Sequence, residues 1–373
     1  MRDFRDSAPS YLTVRVTPQA GPLAAFAEQE AAEAMERYPM VVGLGAPQFF
    51  PTRECETGGW EILSAGCGEP QGARDDLGSH FRTYAGNTDD EAVRRKWMAA
   101  AERIEREVVD EFRVRGERFR IARAGQFVRL GPNGPEPPRP SDRDTADVGA
   151  AYRLDHRDDG FVIDPYTPTG LSDGLLKLEL LSLAGPAGDV PQEVRDDAVA
   201  AQYDYPGGVL LTPVFVISRR ERNGGWSPAN PDATHATPQG ARDSLSHWLR
   251  VTGPWSKDLD DAKKAEWAAL ADRLDETRKN VLTVDGVRYR ITRVDRIVRM
   301  GPDGPETPRP SDPDPEPPIT VHVQQLKEAG LWEDDEHKPI ELDERTLEYQ
   351  SLVEEEEARQ REWRRARGLR DPD

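Results

Sequence analysis

Val114–Asp142 reads VRGERFRIARAGQFVRLGPNGPEPPRPSD, and Val284–Asp312 reads VDGVRYRITRVDRIVRMGPDGPETPRPSD. The two stretches are identical at 18 of 29 positions, with a constant offset of 170 residues. Identity at a fixed spacing is the signature of a repeated structural unit. We therefore predict that one module occurs twice in the chain.

The repeat extends upstream of these stretches. The hexapeptide PQGARD occurs at Pro70–Asp75 and again at Pro238–Asp243, and Gly58-Gly59-Trp60 recurs as Gly224-Gly225-Trp226. The offset drifts from 166 to 170 along the module, which indicates short loop insertions. The predicted organisation is a first module at 1–142, a joining segment at 143–174, a second module at 175–312 and an acidic C-terminal extension at 313–373.

Hydrophobic periodicity gives a coarse secondary structure, with apolar spacings of three and four for helices and alternation for strands. In the first module it predicts strands at Tyr11–Val16 and Trp60–Leu63, an extended run at Val41–Arg53, helices at Pro22–Arg37, Gln71–Tyr84 and Asp90–Val109, and a hairpin of Phe112–Arg115 with Arg118–Arg123. In the second module it predicts a strand at Leu175–Leu183 and a helix at Val194–Tyr205. Each module closes with GPxGPExPRPSD, which we interpret as a turn and a polyproline-like segment returning across the surface.

Helices and strands mix without a regular βαβ alternation, which favours an α+β fold. We expect two similar modules, each a small, mainly antiparallel sheet packed with two to three helices, followed by a C-terminal helical tail.

Charge and composition limit the possible partners. The net charge is −19, and the last 61 residues hold 18 acidic and 9 basic side chains. Such a chain repels nucleic acid and anionic membranes at long range. No apolar run approaches the roughly 18 residues of a membrane span, and no signal peptide is visible. We expect a cytoplasmic protein with no membrane association, whose two cysteines, Cys55 and Cys67, are ordinary reduced thiols.

The C-terminal extension contains a long polar helix candidate at Glu344–Arg370, with acidic residues first and arginines last, as suits a helix dipole. Leu347, Leu352 and Trp363 give it a thin apolar seam. Two interpretations stay open, a solvated tail and a helix that docks on a protein partner.

Arginine is the residue that the repeat preserves most visibly. Arg118, Arg120 and Arg123 of the first module correspond to three arginines of the second, which are Arg288, Arg290 and Arg293. Alternation with Phe119 and Ile121 places the first two on one face of a strand. That face is interpreted either as a binding surface for a phosphate or carboxylate ligand, or as a solvent face with fixed pairs to the module's own acidic residues.

Catalytic and metal-binding motifs are not found in the sequence. It has no HExxH, GxSxG or CxxC, no GxGxxG after a strand, and no histidine shared by both modules. We predict no metal, no cofactor and no catalytic residue, and favour a protein that is not an enzyme.

The combination of PQGARD, a Trp-bearing helix, RYRI and VRMGPDGPExPRPSD resembles an actinobacterial family of tandemly duplicated domains of unknown function. The resemblance covers roughly residues 11–312. It implies a cytoplasmic, actinobacterial protein and names no activity.

These observations give three functional hypotheses. The first is a non-catalytic interaction or scaffold protein, with a partner bound through the C-terminal helix. The alternative is a binder or enzyme acting on an anionic small molecule in the cleft between the modules, held by Arg120, Arg290 and their neighbours. Nucleic-acid binding is the least favoured, and the oligomeric state is left open.

Overall fold

A computed structural model describes residues 16–17, 20–45, 47–56, 58–150, 158–183, 190–230, 233–332 and 342–369. Apart from Val16, the strand predicted at Tyr11–Val16 lies outside these residues. The helices are α1 (Pro22–Arg37), α2 (Pro70–Gly86), α3 (Glu91–Ile104), α4 (Leu171–Ser182), α5 (Gln192–Asp204), α6 (Pro238–His247), α7 (Gly253–Lys257), α8 (Asp261–Thr277), α9 (Ile319–Glu328) and α10 (Glu344–Ala366), with a π-helical turn at Trp248–Thr252.

The strands are β1 (Met40–Gly43), β2 (Gln48–Glu54), β3 (Trp60–Ile62), β4 (Glu111–Val114), β5 (Glu117–Gly131), β6 (Gly134–Pro135), β7 (Val162–Ile163), β8 (Gly207–Arg220), β9 (Trp226–Pro228), β10 (Val281–Val284), β11 (Val287–Gly301) and β12 (Gly304–Pro305). They form one curled antiparallel sheet with the order β7-β3-β2-β5-β11-β8-β9, flanked by the remaining short strands.

The centre of this sheet is the pairing of β5 with β11. Gln126 lies opposite Arg296, and these two residues occupy aligned positions of the repeat, 170 residues apart. The sheet is therefore continuous from one repeated stretch to the other, and residues at aligned positions face each other at its centre. We keep the names first module and second module for 1–142 and 175–312, whose exact boundaries stay a prediction.

Each module has an aromatic core between its helices and the sheet. In the first, Phe81 of α2 contacts Trp97 of α3 and Phe119 of β5, and all three are buried. In the second, Trp267 of α8 and Tyr289 of β11 are the residues aligned with Trp97 and Phe119, and both pack in the corresponding cluster. Aromatic side chains bury the largest apolar areas, so these clusters contribute much of each module's stability.

Most elements of the sequence prediction are present. The helix Pro22–Arg37 agrees at both ends, because Pro22 suits a first helical turn and Tyr38 precedes Pro39. The hairpin is present, although β5 continues to Gly131. The strand predicted at Leu175–Leu183 is wrong, because this stretch lies in helix α4. Its leucine, lysine and glutamate side chains are strong helix formers, and it contains no β-branched residue.

The segments after β5 and β11 cross to the opposite module. We call Gly134–Asp144 the first arm and Gly304–Asp314 the second arm. The carbonyl oxygen of Glu136 accepts a 2.9 Å hydrogen bond from the backbone N–H of Arg293, and Glu306 accepts a 2.7 Å bond from Arg123. Both glutamates are buried. Beyond the glutamates, residues 137–143 and 307–313 are half-buried or exposed, so these segments do run along the surface, but the surface is that of the opposite module.

Tryptophans hold the start of each arm. Gly134 has a φ of +107°, and a Cβ atom there would lie 2.5 Å from the Trp226 ring. Gly304 has a φ of +123°, and its Cβ atom would lie 2.7 Å from the Trp60 ring. Only glycine combines this conformation with so close an approach. The repeated GPxGP sequence is thus a docking turn for the opposite module.

Ion pairs between buried arginines and partly exposed aspartates fix the ends of the arms. Asp144 of the first arm accepts a 2.5 Å bond from Arg242 in α6, and Asp314 of the second arm accepts a 2.6 Å bond from Arg74 in α2. Both arginines are about 2% exposed. The arms therefore join the two modules along their whole length.

The C-terminal extension docks on the second module. Glu356 of α10 is buried and lies 3.3 Å from Arg250 of the π-helical turn, which also pairs with Asp275 of α8. Arg364 donates to the backbone carbonyl of Val148 in the joining segment. The inner face of α10 is therefore polar and occupied by the protein itself.

Candidate ligand sites at the seam between the modules

The two arginines predicted on one face of β5 form a closed ionic cluster. Arg118 donates to both carboxylate oxygens of Glu111, at 2.7 and 2.9 Å, and to Asp303 of the second arm at 2.6 Å. Arg120 lies 2.6 Å from Glu111 and 2.8 Å from Asp303. Both guanidinium groups lie 5.3 Å from the centre of the Trp60 ring. Two carboxylates therefore neutralise two buried arginines.

The acidic partners respond to these contacts. Hydrogen bonds from Arg118, followed by those from Arg120, lower the pKa of Asp303 to about 2. The hydrogen bond from Arg118 is also the largest cause that lowers the pKa of Glu111. Both acids stay ionised around neutral pH, so this cluster has no free cationic surface for a ligand.

We use the word seam for the junction where each arm docks on the opposite module. The third arginine of each set is also paired across this seam. Arg123 donates to both oxygens of Asp312 in the second arm, at 2.8 and 2.9 Å. Arg293 lies 3.2 Å from Asp142 in the first arm and also pairs with Asp295. Asp142 and Asp312 therefore pair with arginines of the opposite module, whereas Glu136 and Glu306 pair with arginines of their own module, Arg139 and Arg309.

Arg288 and Arg290 differ from their counterparts. The positions aligned with Glu111 and Asp303 hold Val281 and Asn133, neither of which carries a charge. Arg290 is 7% exposed, and its Nε atom has no hydrogen-bond partner within the described residues. Arg288 is half-buried, and its side chain makes no ion pair or hydrogen bond in that same part of the chain.

Burial lowers the pKa of Arg290, Tyr38 acts in the opposite direction, and the positive charge of Arg288 lowers the pKa again. Its Nη1 atom donates a 2.7 Å hydrogen bond to the carbonyl oxygen of Pro135. Its guanidinium group lies 5.1 Å from the centre of the Trp226 ring. These contacts orient Arg290 without neutralising its charge.

A cavity of about 470 Å³ lies elsewhere on the seam. Val41 and Phe127 of the first module form part of its wall, and Val194, Ala198 and Ile297 of the second form another part. Arginine side chains of both modules line it as well, together with the buried Glu306; these arginines are Arg123, Arg299 and Arg309. It combines apolar walls with a cationic side.

Arg299 is the arginine of this cavity that has no carboxylate partner among the described residues. It is 7% exposed, and its Nη2 atom donates to the carbonyl oxygens of Leu181 and Leu183 at the end of α4. Burial lowers its pKa, although Glu306 acts in the opposite direction. The aligned Arg129, by contrast, pairs with Glu179 of α4 at 2.6 Å.

The described residues contain no group of three His, Cys, Asp or Glu side chains placed to hold a metal ion. Cys55 and Cys67 are free thiols. Burial, followed by the charge of Asp76, raises the pKa of Cys67 to about 12, which keeps this thiol protonated and poorly nucleophilic. The arrangement at the seam suits ligand binding better than thiolate chemistry.

His235 gives the protein a measurable pH dependence. Burial lowers its pKa to about 4, below the ordinary value of 6.5, so the native state releases a proton that the unfolded chain binds. Stability should therefore fall by about 3 kcal/mol as the pH drops from about 6.5 to about 4. In His235→Cys, which introduces the residue aligned at Cys67, the fall over this pH range should be smaller by about 3 kcal/mol. Urea unfolding at a series of pH values checks it, and parallel curves for the two proteins would contradict it.

The three apolar residues of α10 that were predicted to bind a partner do not form one surface. Leu347 is exposed, whereas Leu352 and Trp363 are half-buried. The residues that do anchor α10, Glu356 and Arg364, were not singled out by the sequence, because charged side chains ordinarily face solvent. The partner-binding role of the three apolar residues stays a prediction.

The protein is thus a mixed helix–sheet protein with a curled antiparallel sheet and a C-terminal helix, in which two charged arms each dock on the opposite module. A model of a family described as "Family of unknown function (DUF5954)" matches residues 21–315, and the chain belongs to this family. No curated protein and no solved structure gives a significant match. Among the described residues, no helix has the length and apolar character needed to cross a bilayer.

Proposed function

We propose that this protein is a non-catalytic binding protein, built from a duplicated module, that holds a small molecule with an apolar body and a carboxylate head in the cavity at the seam. The observation that supports this proposal is the cavity itself, in which apolar residues of both modules meet a buried arginine, Arg299, that has no carboxylate partner within the part of the chain that the structure describes. Ligand cavities typically measure about 300–1,000 Å³ and combine apolar walls with a few polar groups.

Helix α4 of the protein itself makes the kind of contacts that the proposed ligand would make. Helix α4 lies beside α1, where Ser172 donates to Glu28, and its Leu176 and Leu180 pack with Ile297. The same helix places Glu179 on Arg129. The cavity lies beside α5, which is aligned with α1, and next to Arg299, which is aligned with Arg129. An occupant with an apolar body and a carboxylate would reproduce the contacts that α4 makes.

The scaffold hypothesis has less support. Its motivation was a C-terminal helix free to reach a partner, and α10 instead uses Glu356 and Arg364 to dock on the protein's own body. Leu347 is the predicted partner-binding residue of α10 that is left exposed. Nucleic-acid binding has the least support, because four of the six arginines singled out for ligand binding are paired with internal carboxylates.

Calorimetric titration with decanoate tests the proposal, with decanol and decylamine as headgroup controls. We expect decanoate to bind the full chain more tightly than either control. Arg299→Met should weaken binding by about 10-fold or more, since a charged hydrogen bond contributes about 1.5–3 kcal/mol. Ala198→Phe should abolish binding, because the new ring fills the cavity.

Ala200→Phe is the matched control, because Ala200 is exposed on the same helix. Equal affinity of Ala198→Phe and Ala200→Phe would reject the cavity as the site. Equal binding of decanoate and decanol would reject the role of Arg299.

A further inference from the structure

We infer that the second module carries a separate anion site, formed by Arg288, Arg290 and Trp226, for a ligand with two negative charges on oxygen atoms, such as a phosphate monoester or a dicarboxylate. The inference is independent of the cavity proposal, because none of these residues lines the cavity. It rests on a comparison of two aligned positions within one protein.

In the first module, the site aligned with the proposed anion site is occupied by two carboxylates of the protein itself. The carboxylates of Glu111 and Asp303 both contact Arg118 and Arg120, so a total charge of −2 meets a total charge of +2. Oxygen atoms of both acids accept hydrogen bonds in fork-like arrangements, the geometry in which guanidinium groups bind oxyanions best.

The second module keeps the rest of this arrangement. Arg290 donates to the carbonyl oxygen of Pro135, as Arg120 donates to that of Pro305. Arg290 lies over Trp226 at 5.1 Å, as Arg120 lies over Trp60 at 5.3 Å. The turn residue Gly134 approaches Trp226 as Gly304 approaches Trp60.

The two carboxylates are what the second module lacks. Val281 lies opposite Arg290 in the β10–β11 pairing, as Glu111 lies opposite Arg120 in the β4–β5 pairing. Asn133 takes the place of Asp303 in the turn. Two arginines and a tryptophan are thus retained while both internal counter-charges are absent.

Electrostatics favours an external anion at this position. A buried guanidinium without a counter-charge is unfavourable, and the Nε atom of Arg290 also has no hydrogen-bond partner among the described residues. The position is open to solvent, since Arg288 is half-buried and the side chain of Asp303, which fills the equivalent place, is 74% exposed. A dianion arriving from solvent would occupy the places of the two missing carboxylates.

The decisive experiment restores the carboxylates in the full-length protein with the double variant Asn133→Asp/Val281→Glu. Thermal unfolding is followed with inorganic phosphate or succinate, against sodium chloride of matched ionic strength. We expect both dianions to raise the unfolding midpoint of the wild type beyond the chloride effect, because a ligand bound to the native state stabilises it. The double variant should start from a higher midpoint and lose the dianion response.

Two further variants keep the inference testable if the double variant folds poorly. Arg288→Met, at a half-buried position, should retain the fold and weaken dianion binding by about 10-fold or more. Glu111→Val/Asp303→Asn should create a second site in the first module and double the number of dianions bound. A wild type that responds only as it does to chloride, or a response that Arg288→Met leaves intact, would overturn the inference.

Discussion

Replacing Arg123 with methionine is expected to lower the free energy of unfolding by about 3–5 kcal/mol. Arg123 is the partner that neutralises Asp312 of the second arm, and the Asp312 side chain is 6% exposed. Methionine fills much of the same space but leaves this carboxylate buried without a counter-charge. Removal of one member of a buried ion pair is costly for this reason, even where the intact pair adds little.

Urea unfolding followed by tryptophan fluorescence measures this effect. Arg37→Met is the matched control, because Arg37 and Glu33 form an exposed pair on α1 that should contribute less than about 1 kcal/mol. A loss below about 1 kcal/mol for Arg123→Met would show that Asp312 is not buried against Arg123 in solution, and the seam described above would then be incorrect.

Gly304→Ala is expected to lower the free energy of unfolding by about 2–5 kcal/mol. One part of the cost is backbone strain, because Gly304 has a φ of +123°. The other part is steric, because the added methyl group would lie 2.7 Å from the Trp60 ring. The second arm could then remain docked only if Trp60 moved within the shared core.

Gly286→Ala separates the two parts. Gly286 also has a positive φ, +78°, but no atom lies within 4 Å of its added methyl group. Its cost should be that of backbone strain alone, about 1–2 kcal/mol. If the two alanine variants unfold at the same urea concentration, the contact of the arm with Trp60 does not contribute to stability.

Elements with strong local signals could be predicted from the sequence. The helix Pro22–Arg37 has a proline at its start and a Tyr-Pro sequence beyond its end, and both act within a few residues. Helix α4 was misassigned because a short leucine-rich run satisfies both helix and buried-strand patterns. Its length and its lack of β-branched residues were the available signals for a helix.

The candidate sites were predictable in part. Five of the six arginines contact the arm of the opposite module, and alternation along a strand indicates only that Arg118 and Arg120 share a face. Their partners could not be predicted, since Asp303 and Asp312 lie 185 and 189 residues from Arg118 and Arg123 and reach them through the crossing of the arm. One usable signal was present, because Glu111 and Asp303 are replaced at the aligned positions while the arginines are kept.

The crossing of the arms has a consequence for synthesis on the ribosome. Arg118, Arg120 and Arg123 emerge early, yet two of the carboxylates that neutralise them, Asp303 and Asp312, are translated 183 to 189 residues later. The first half of the nascent chain therefore cannot reach its final state by itself. Until the second arm is made, Trp60 lacks its contact with Gly304, and Arg118, Arg120 and Arg123 lack the carboxylates of that arm. Pairing over such sequence distances slows folding. A chain that ends before residue 303 lacks these two carboxylates, so we expect its first module to be less stable than the same module in the full-length protein.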